Sequence, residues 1–281
     1  MIGNANVLKF RWFTCNCYQF ALPGGKTVVI DPMLVPESFD IKLPHGYCGF
    51  TAEDLGSADY VLLNHTHIDH VASLPEVHEL YNSRILCHSA CAAQLSLDFD
   101  LPQTSIFPFD NHVDYDFGDF KLTTLTGRHN GGWRPSEKLI NAGTRYERLN
   151  QLGTLYNTNF VLETRNHVRI GICAGVYRDG EVEKNSWRDA HCNIFIRQFG
   201  GYLNRNDPEG LANEFMETGA SILLPLHQEK FYDRILPADL EETANQVNKI
   251  LKREGYHGYM VNPKRGKWYQ IGMTTCCEYA T

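Results

Sequence analysis

No apolar run in this chain reaches the roughly 20 residues needed to span a bilayer, which argues against a membrane protein. The opening residues Met1-Ile2-Gly3-Asn4-Ala5-Asn6 lack a basic stretch followed by an apolar core. No secretory leader is therefore expected, and a cytoplasmic location is. Positive charge is in deficit: 26 Lys and Arg stand against 33 Asp and Glu, a net charge of −7. That balance, with no basic stripe interleaved with aromatics, disfavours nucleic acid and anionic membranes as partners. It leaves room for an anionic small molecule in a locally basic pocket. The nine cysteines are an odd number and scattered. Cys15 and Cys17 are expected to point the same way along one extended stretch, and their spacing is not that of a zinc ribbon. Reduced thiols are the expectation rather than a disulfide framework. There is no internal repeat and no low-complexity segment. With 281 residues, 43% of them apolar, the chain can bury a sizeable core as one domain spanning 1–281.

What the chain does have is a dense cluster, Asn64-His65-Thr66-His67-Ile68-Asp69-His70-Val71. It follows the apolar run Tyr60-Val61-Leu62-Leu63 and precedes a helix-like segment, so it marks the end of a buried strand. In layered α/β folds that edge is where sites are built. Imidazole nitrogens and a carboxylate are the usual donors to a catalytic zinc or similar divalent ion. His65 and His67, two apart, share one side of an extended chain. Asp69 and His70 follow on a turn and can serve a neighbouring position, so one loop can supply two metal sites. The alternative is a histidine-rich surface loop, or satisfied core histidines.

Around this cluster the pattern alternates strands and helices. Strands are expected at Leu8 to Thr14, Cys17 to Leu22, Thr27 to Asp31, Arg84 to His88, Ser105 to Phe107, His112 to Asp116 and Phe120 to Thr126. A hairpin is expected across Arg165-Asn166-His167, and later strands at Asn193 to Phe199, Ala220 to Leu226 and Lys267 to Gly272. Helices are expected at Val71 to Tyr81, at Ala90 to Leu97 capped by Ser89, and from Asp207-Pro208 to Gly219. Pro237 to Glu254 carries the apolar stripe Leu240, Ala244, Val247 and Leu251. Thr51 to Leu55 has the look of a capped short helix. Asp31 ends its strand at the active edge, where it either steadies a ligand histidine or caps a turn. Residues 32–50 and 131–153 read as long loops bordering the site. The second is polar and irregular, and Arg134 and Arg145 in it are candidates for binding a phosphate or carboxylate. His78 and His88 have no partners at metal spacing and read as structural.

The run His-x-His-x-Asp-His after a buried strand resembles the signature of the metallo-β-lactamase superfamily. Within it the chain is most similar to the branch of L-ascorbate 6-phosphate lactonase and related metal-dependent hydrolases. Val28-Val29-Ile30-Asp31-Pro32, Val113 to Phe120 and Leu223-Leu224-Pro225-Leu226-His227 resemble further family elements in the family's order. The resemblance implies a four-layer αβ/βα sandwich, with two mixed β-sheets flanked by helices. It implies that His65, His67 and His129 form one metal site and that Asp69, His70 and His227 form the other. One or two divalent ions are implied, zinc first, with manganese or iron as alternatives. Asp69 would also position the attacking water or take its proton, making it the catalytic residue. Lactones, other esters and phosphodiesters are the implied substrates. One departure stands out: the family places a bridging aspartate after the strand that here reads Gly171-Ile172-Cys173-Ala174-Gly175, and there is none. Three readings stay open: Cys173 replaces it as a thiolate, Asp179 reaches back from the following loop, or the bridge is missing. In the last case the chain is a catalytically weakened metal-binding or regulatory module. Oligomeric state is not legible in the sequence.

Overall fold

A computed structural model describes residues 7–34, 49–129, 146–175, 186–198, 207–227 and 237–272, with the side chains of 237–239 excepted. The described residues form an α/β fold of two seven-stranded mixed sheets flanked by helices. The first sheet holds β1 (Leu8–Trp12), β2 (Tyr18–Ala21), β3 (Thr27–Ile30), β4 (Tyr60–Leu62), β5 (Arg84–His88) and β6 (Ile106–Phe109) in sequence order. The last strand, β14 (Tyr269–Ile271), returns to pair with β1, Leu8 opposite Ile271. The second sheet runs β7 (Asp114–Asp116), β8 (Phe120–Thr126), β9 (Thr158–Thr164), β10 (Arg169–Cys173), β11 (Ile194–Gln198), β12 (Ile222–Leu226) and β13 (Tyr259–Met260). Each sheet passes through three antiparallel pairings and then three parallel ones. The two halves of the chain thus repeat one pattern that their sequences do not display.

The period of two along each strand assigns its faces. Leu8, Phe10 and Trp12 of β1 and Ile170 and Ile172 of β10 point into a core between the sheets, with Phe20, Phe109, Phe120 and Phe160. Each such side chain contributes about 1.5–3 kcal/mol by leaving water. The outer face of the first sheet packs under α2 (Leu74–Tyr81), α3 (Ser89–Phe99) and α4 (Glu147–Leu155), through Leu74, Val77, Leu95, Phe99 and Leu149. The outer face of the second sheet packs under α5 (Pro208–Thr218) and α6 (Pro237–Arg253). Three cores between four layers are the arrangement that the family resemblance implies.

Local chemistry explains most element ends. Asp207 accepts from Gly210 N at 2.7 Å and Gly219 closes α5 in the left-handed conformation. Asp54 accepts from Thr51 N at 2.8 Å, the reciprocal cap expected of that segment. The stripe Leu240, Ala244, Val247 and Leu251 of α6 is buried. Four expectations need correction. The helix expected over Val71 to Tyr81 is split into one turn, α1 (Ile68–Val71), and α2, because Pro75 fits only a first turn. Ser89 does not cap α3; the His88 ring accepts from Ala90 N at 3.2 Å, and Ser89 Oγ donates to Asp110. Residues 147–153, expected to be irregular, belong to α4. Cys15 and Cys17 do not share a face: Phe13 N donates to Cys17 O at 2.9 Å and closes a tight turn with Cys15 at φ 45°. Cys17 enters the outer core of the first sheet, whereas Cys15 packs on Met33 and Ala72. No helix among the described residues is long and apolar enough to cross a membrane.

Candidate metal centre

Strand ends from both sheets converge at one rim. β3 delivers Asp31, β4 delivers Asn64 to His67, α1 carries Asp69 and His70, β8 runs into His129, and β12 ends at His227. Two hydrogen bonds tie the loops together across the sheets: Thr158 N donates to Asn64 O at 2.9 Å, and Asn64 Nδ2 donates to Thr158 O at 3.1 Å.

His65, His67 and His129 come together. Each offers one ring nitrogen, and these atoms lie within 4.8 Å of one another. Ring centroids are 4.6 Å apart for His65 and His67, 4.3 Å for His67 and His129, and 5.1 Å for His65 and His129. Ligands held tetrahedrally about 2.0–2.1 Å from zinc stand about 3.3 Å apart, so small side-chain rotations close the set. His65 is 3% exposed and its Nε2 is buried without a hydrogen-bond partner. Its Nδ1 lies 3.2 Å from the Asn157 amide. The atom facing it is Asn157 Nδ2, so Nε2 offers its lone pair to a metal only when the amide is reversed to present its oxygen and Nδ1 carries the proton. His67 Nε2 is held 2.8 Å from Thr154 Oγ1, which directs its Nδ1 to the cluster.

Electrostatics favour the same state. Burial, then repulsion from His70, His67 and His129, pushes His65 well below the usual histidine range. Burial and His129 bring His67 down to about 3. Both rings are therefore neutral near pH 7, as metal ligands must be. Burial alone raises the Asp69 carboxyl, but His70 and the hydrogen bond from His227 outweigh it and hold the group well below the ordinary carboxylate range. A buried nitrogen with no protein hydrogen-bond partner, set beside a second neutral imidazole, is a free donor, and the donor set fits a divalent ion.

Helix α4 clamps the metal loop. Thr66 Oγ1 donates to Leu149 O at 2.8 Å, and Ile68 N donates to Asn150 Oδ1 at 2.9 Å. Gly153 sits so close that a Cβ there would lie 2.8 Å from His67 N and 2.9 Å from Thr66 N. On the opposite side, Gly175 packs on the backbone of Arg128, and Arg197 donates to Gly175 O at 2.9 Å while pairing with Glu214 at 2.9 Å.

The second group of donors differs from the expected one. Cys15, Asp69 and His227 have donor atoms within 4.8 Å of one another. His70 is not in this group: its Nδ1 lies 2.9 Å from Asp31 Oδ2 and its Nε2 2.8 Å from Asn16 Nδ2. Asp31, fully buried, also accepts from Asn64 N at 2.8 Å. It thus steadies a histidine rather than capping a turn alone. Cys173 joins neither group; the alternation of β10 sends it to the outer core with Trp187 and Phe195. Asp179, Arg134 and Arg145 lie outside the described residues. Cys15 was not singled out as a donor by the sequence, since its partners lie 54 and 212 positions further along the chain.

Residues 26–156 match the model of a beta-lactamase superfamily domain. Over 83 residues, 30% of the chain, the sequence is 35% identical to a UPF0173 metal-dependent hydrolase of Cupriavidus necator. That stretch spans only 26% of the relative's own length. Among solved structures, the metallo hydrolase Igni18 of Ignicoccus hospitalis superposes with a TM-score of 0.66 at 12% identity, covering 95% of this chain and 100% of that one. YhfI of Bacillus subtilis, a metallo-β-lactamase fold protein, gives 0.58 at 17% identity over 95% and 100% of the two chains. At these identities the likeness is one of fold, and the fold is that of the metallo-β-lactamases.

Proposed function

We propose that this chain is a metal-dependent hydrolase acting on an ester-type bond of a small anionic molecule. The observation that carries the reading is the convergence of His65 and His67 from the first sheet with His129 from the second, around a buried nitrogen that no protein group satisfies. A divalent ion held there would polarise the scissile carbonyl or phosphoryl oxygen and acidify the attacking water. The chain's own residues do the rest. His65 and His67, kept neutral by burial and mutual repulsion, hold the ion together with His129. Asp69, with its carboxylate kept ionised and 28% exposed, accepts a hydrogen bond from the water and orients it. A carboxyl held so low is a weak base, so its part is positioning more than proton removal. His227 Nε2, 3.0 Å from Asp69 Oδ2, fixes that carboxylate. Asp31 and Asn16 hold His70 beneath it.

The relatives' names support hydrolysis; lactones follow from the finer resemblance to the L-ascorbate 6-phosphate lactonase branch. Arg128, exposed beside His129, and Arg148 on α4 favour an anionic substrate, and Arg134 and Arg145 belong to the same proposal. The net charge of −7 speaks for a small molecule over nucleic acid. Zinc is the first choice for this nitrogen-rich set, with iron and manganese as alternatives.

The test is metal analysis of the purified chain, then turnover of lactones, simple esters and phosphodiesters with zinc, manganese or iron restored. Bound metal, turnover of one class and loss of both in His67→Ala and His129→Ala are expected. A chain that binds none of these metals refutes the reading. A chain that binds metal and turns over none of the panel supports instead a metal-binding or regulatory module, which the placement of Cys173 in the apolar core favours.

A further inference from the structure

We infer that Cys15, Asp69 and His227 form a second cation position with a thiolate ligand, to which His70 does not contribute. Cys15 Sγ lies 3.7 Å from His227 Nδ1, and His227 Nε2 lies 3.0 Å from Asp69 Oδ2, so sulfur, imidazole and carboxylate form one group of donors. The sulfur end is sealed, with Cys15 1% exposed, and the carboxylate end is open, with the Asp69 side chain 28% exposed. Among the described residues, the carboxylate end is therefore the one open to a substrate.

The backbone is committed to this placement. Cys15 and His227 are both held at positive φ, 45° and 56°, a region costly for residues other than glycine. His227 N donates to Cys15 O at 3.2 Å, and Trp12 Nε1 donates to the same oxygen at 3.2 Å. The turn between β1 and β2 and the end of β12 are thereby locked to one another. His70 is excluded by its own partners. Asp31 occupies the Nδ1 side at 2.9 Å, and Asn16 Nδ2, 2.8 Å from Nε2, takes the remaining lone pair. The Asn16 amide nitrogen also faces Asp69 O at 3.5 Å, which fixes the orientation of that amide.

Chemistry and charge agree with geometry. A cation arriving between these donors displaces the thiol proton to solvent, leaving a sulfur–metal bond and one proton released. Two divalent ions over neutral histidines and one carboxylate would leave a net +3 at the rim, and the thiolate lowers it to +2. A soft sulfur also makes this position selective for zinc or cobalt(II) over manganese or magnesium.

The inference rests on the hydrolase reading only in that the three-histidine group must hold metal. The experiment is a cobalt(II) titration of the full, chelator-stripped chain, followed by absorbance. Two equivalents are expected, the second bringing a near-ultraviolet sulfur-to-cobalt charge-transfer band. Cys15→Ser should lose the band and the second equivalent but keep the first. Cys15→Asp should keep two equivalents without the band, and Cys173→Ala should keep both. Thermal melts of the variants confirm that they fold. Cobalt bound by the wild type without the band, or a band that survives in Cys15→Ser, overturns the inference and leaves the hydrolase reading standing. Failure to bind cobalt overturns the inference, and failure to bind zinc, manganese and iron as well overturns both.

Discussion

Replacing Gly153 by alanine should destabilise the protein and loosen its metal site, although the same change in an exposed helix stabilises. A methyl group at this position of α4 meets His67 N at 2.8 Å, His67 Cδ2 at 2.9 Å and Thr66 N at 2.9 Å. Ordinary contacts begin near 3.4 Å, so α4 or the histidine loop must retreat by about 0.6 Å. Two of the three atoms are backbone, and no rotamer change relieves them. Overpacking of this kind costs about 3 kcal/mol at the upper end of its usual range. Alanine returns about 1 kcal/mol through its better helix propensity. The net loss is about 2 kcal/mol, or a melting temperature about 3–4 °C lower for a chain of this size. The retreat also lengthens the contact of Thr154 Oγ1 with His67 Nε2, now 2.8 Å, and that of Asn150 Oδ1 with Ile68 N, now 2.9 Å. With the orientation of His67 loosened, zinc affinity should fall about 10–100-fold, the usual effect of losing a group that orients a ligand. Thermal melting with and without chelator, and zinc competition against a chromophoric chelator, read the two effects separately. An alanine variant that melts at or above the wild-type temperature with unchanged affinity would refute the clamp.

Acid should weaken the metal-free protein well above the range where carboxylates titrate. Folded His67 titrates at about 3 and an unfolded histidine near 6.5, so between these values the unfolded chain binds more protons and stability rises with pH. Urea midpoints should report a loss of about 1.4 kcal/mol from His67 alone between pH 7.5 and pH 5.5, absent in His67→Gln; a flat profile contradicts the assignment. Asp31→Ala strands the buried Asn64 N–H and the His70 ring and should cost about 3 kcal/mol in urea unfolding. Asp31→Asn, still able to accept from Asn64, should cost less. Arg197→Ala removes a donor from Gly175 O and one partner from Glu214, at about 3 kcal/mol. Because Gly175 packs on the backbone of Arg128, next to His129, zinc competition should also show weakened binding.

The parts of this molecule legible in the sequence are those whose cause is local. His65, His67 and Asp69 lie within five positions, so their chemistry shows without knowledge of the fold, whereas the part of His70 beside them is set by the distant Asp31 and Asn16. Asp207-Pro208 and Gly219 bracket α5 with residues whose capping depends on the next turn alone. The stripe of α6 and the hairpin of β9 and β10 follow from period and turn residues in the same way. Distant causes left little trace. Cys15 becomes a neighbour of His227 only after two sheets have formed, 212 positions later in the chain. Helix α4 contains Gly153, which reads as a breaker, but it is there because His67 needs the room. Cys173 looked like a ligand because it falls where one was sought, and only the alternation of β10 against both cores reveals which way it faces. β13 is two residues long, too short for any period to register.

The three-histidine set is shared between two sheets that, among the described residues, meet through their packed interior and a few strand-end hydrogen bonds. An ion seated among them would act as a rivet joining two packed slabs. Trimming Phe109 or Phe160, whose rings meet edge-on 5.4 Å apart in that interior, would let the slabs shift and register as a change in metal affinity. Conversely, a tightly held ion would make the interior more tolerant of such trimming. Drift in the buried aromatic layer and drift in ligand residues would then be constrained by a single coupled tolerance.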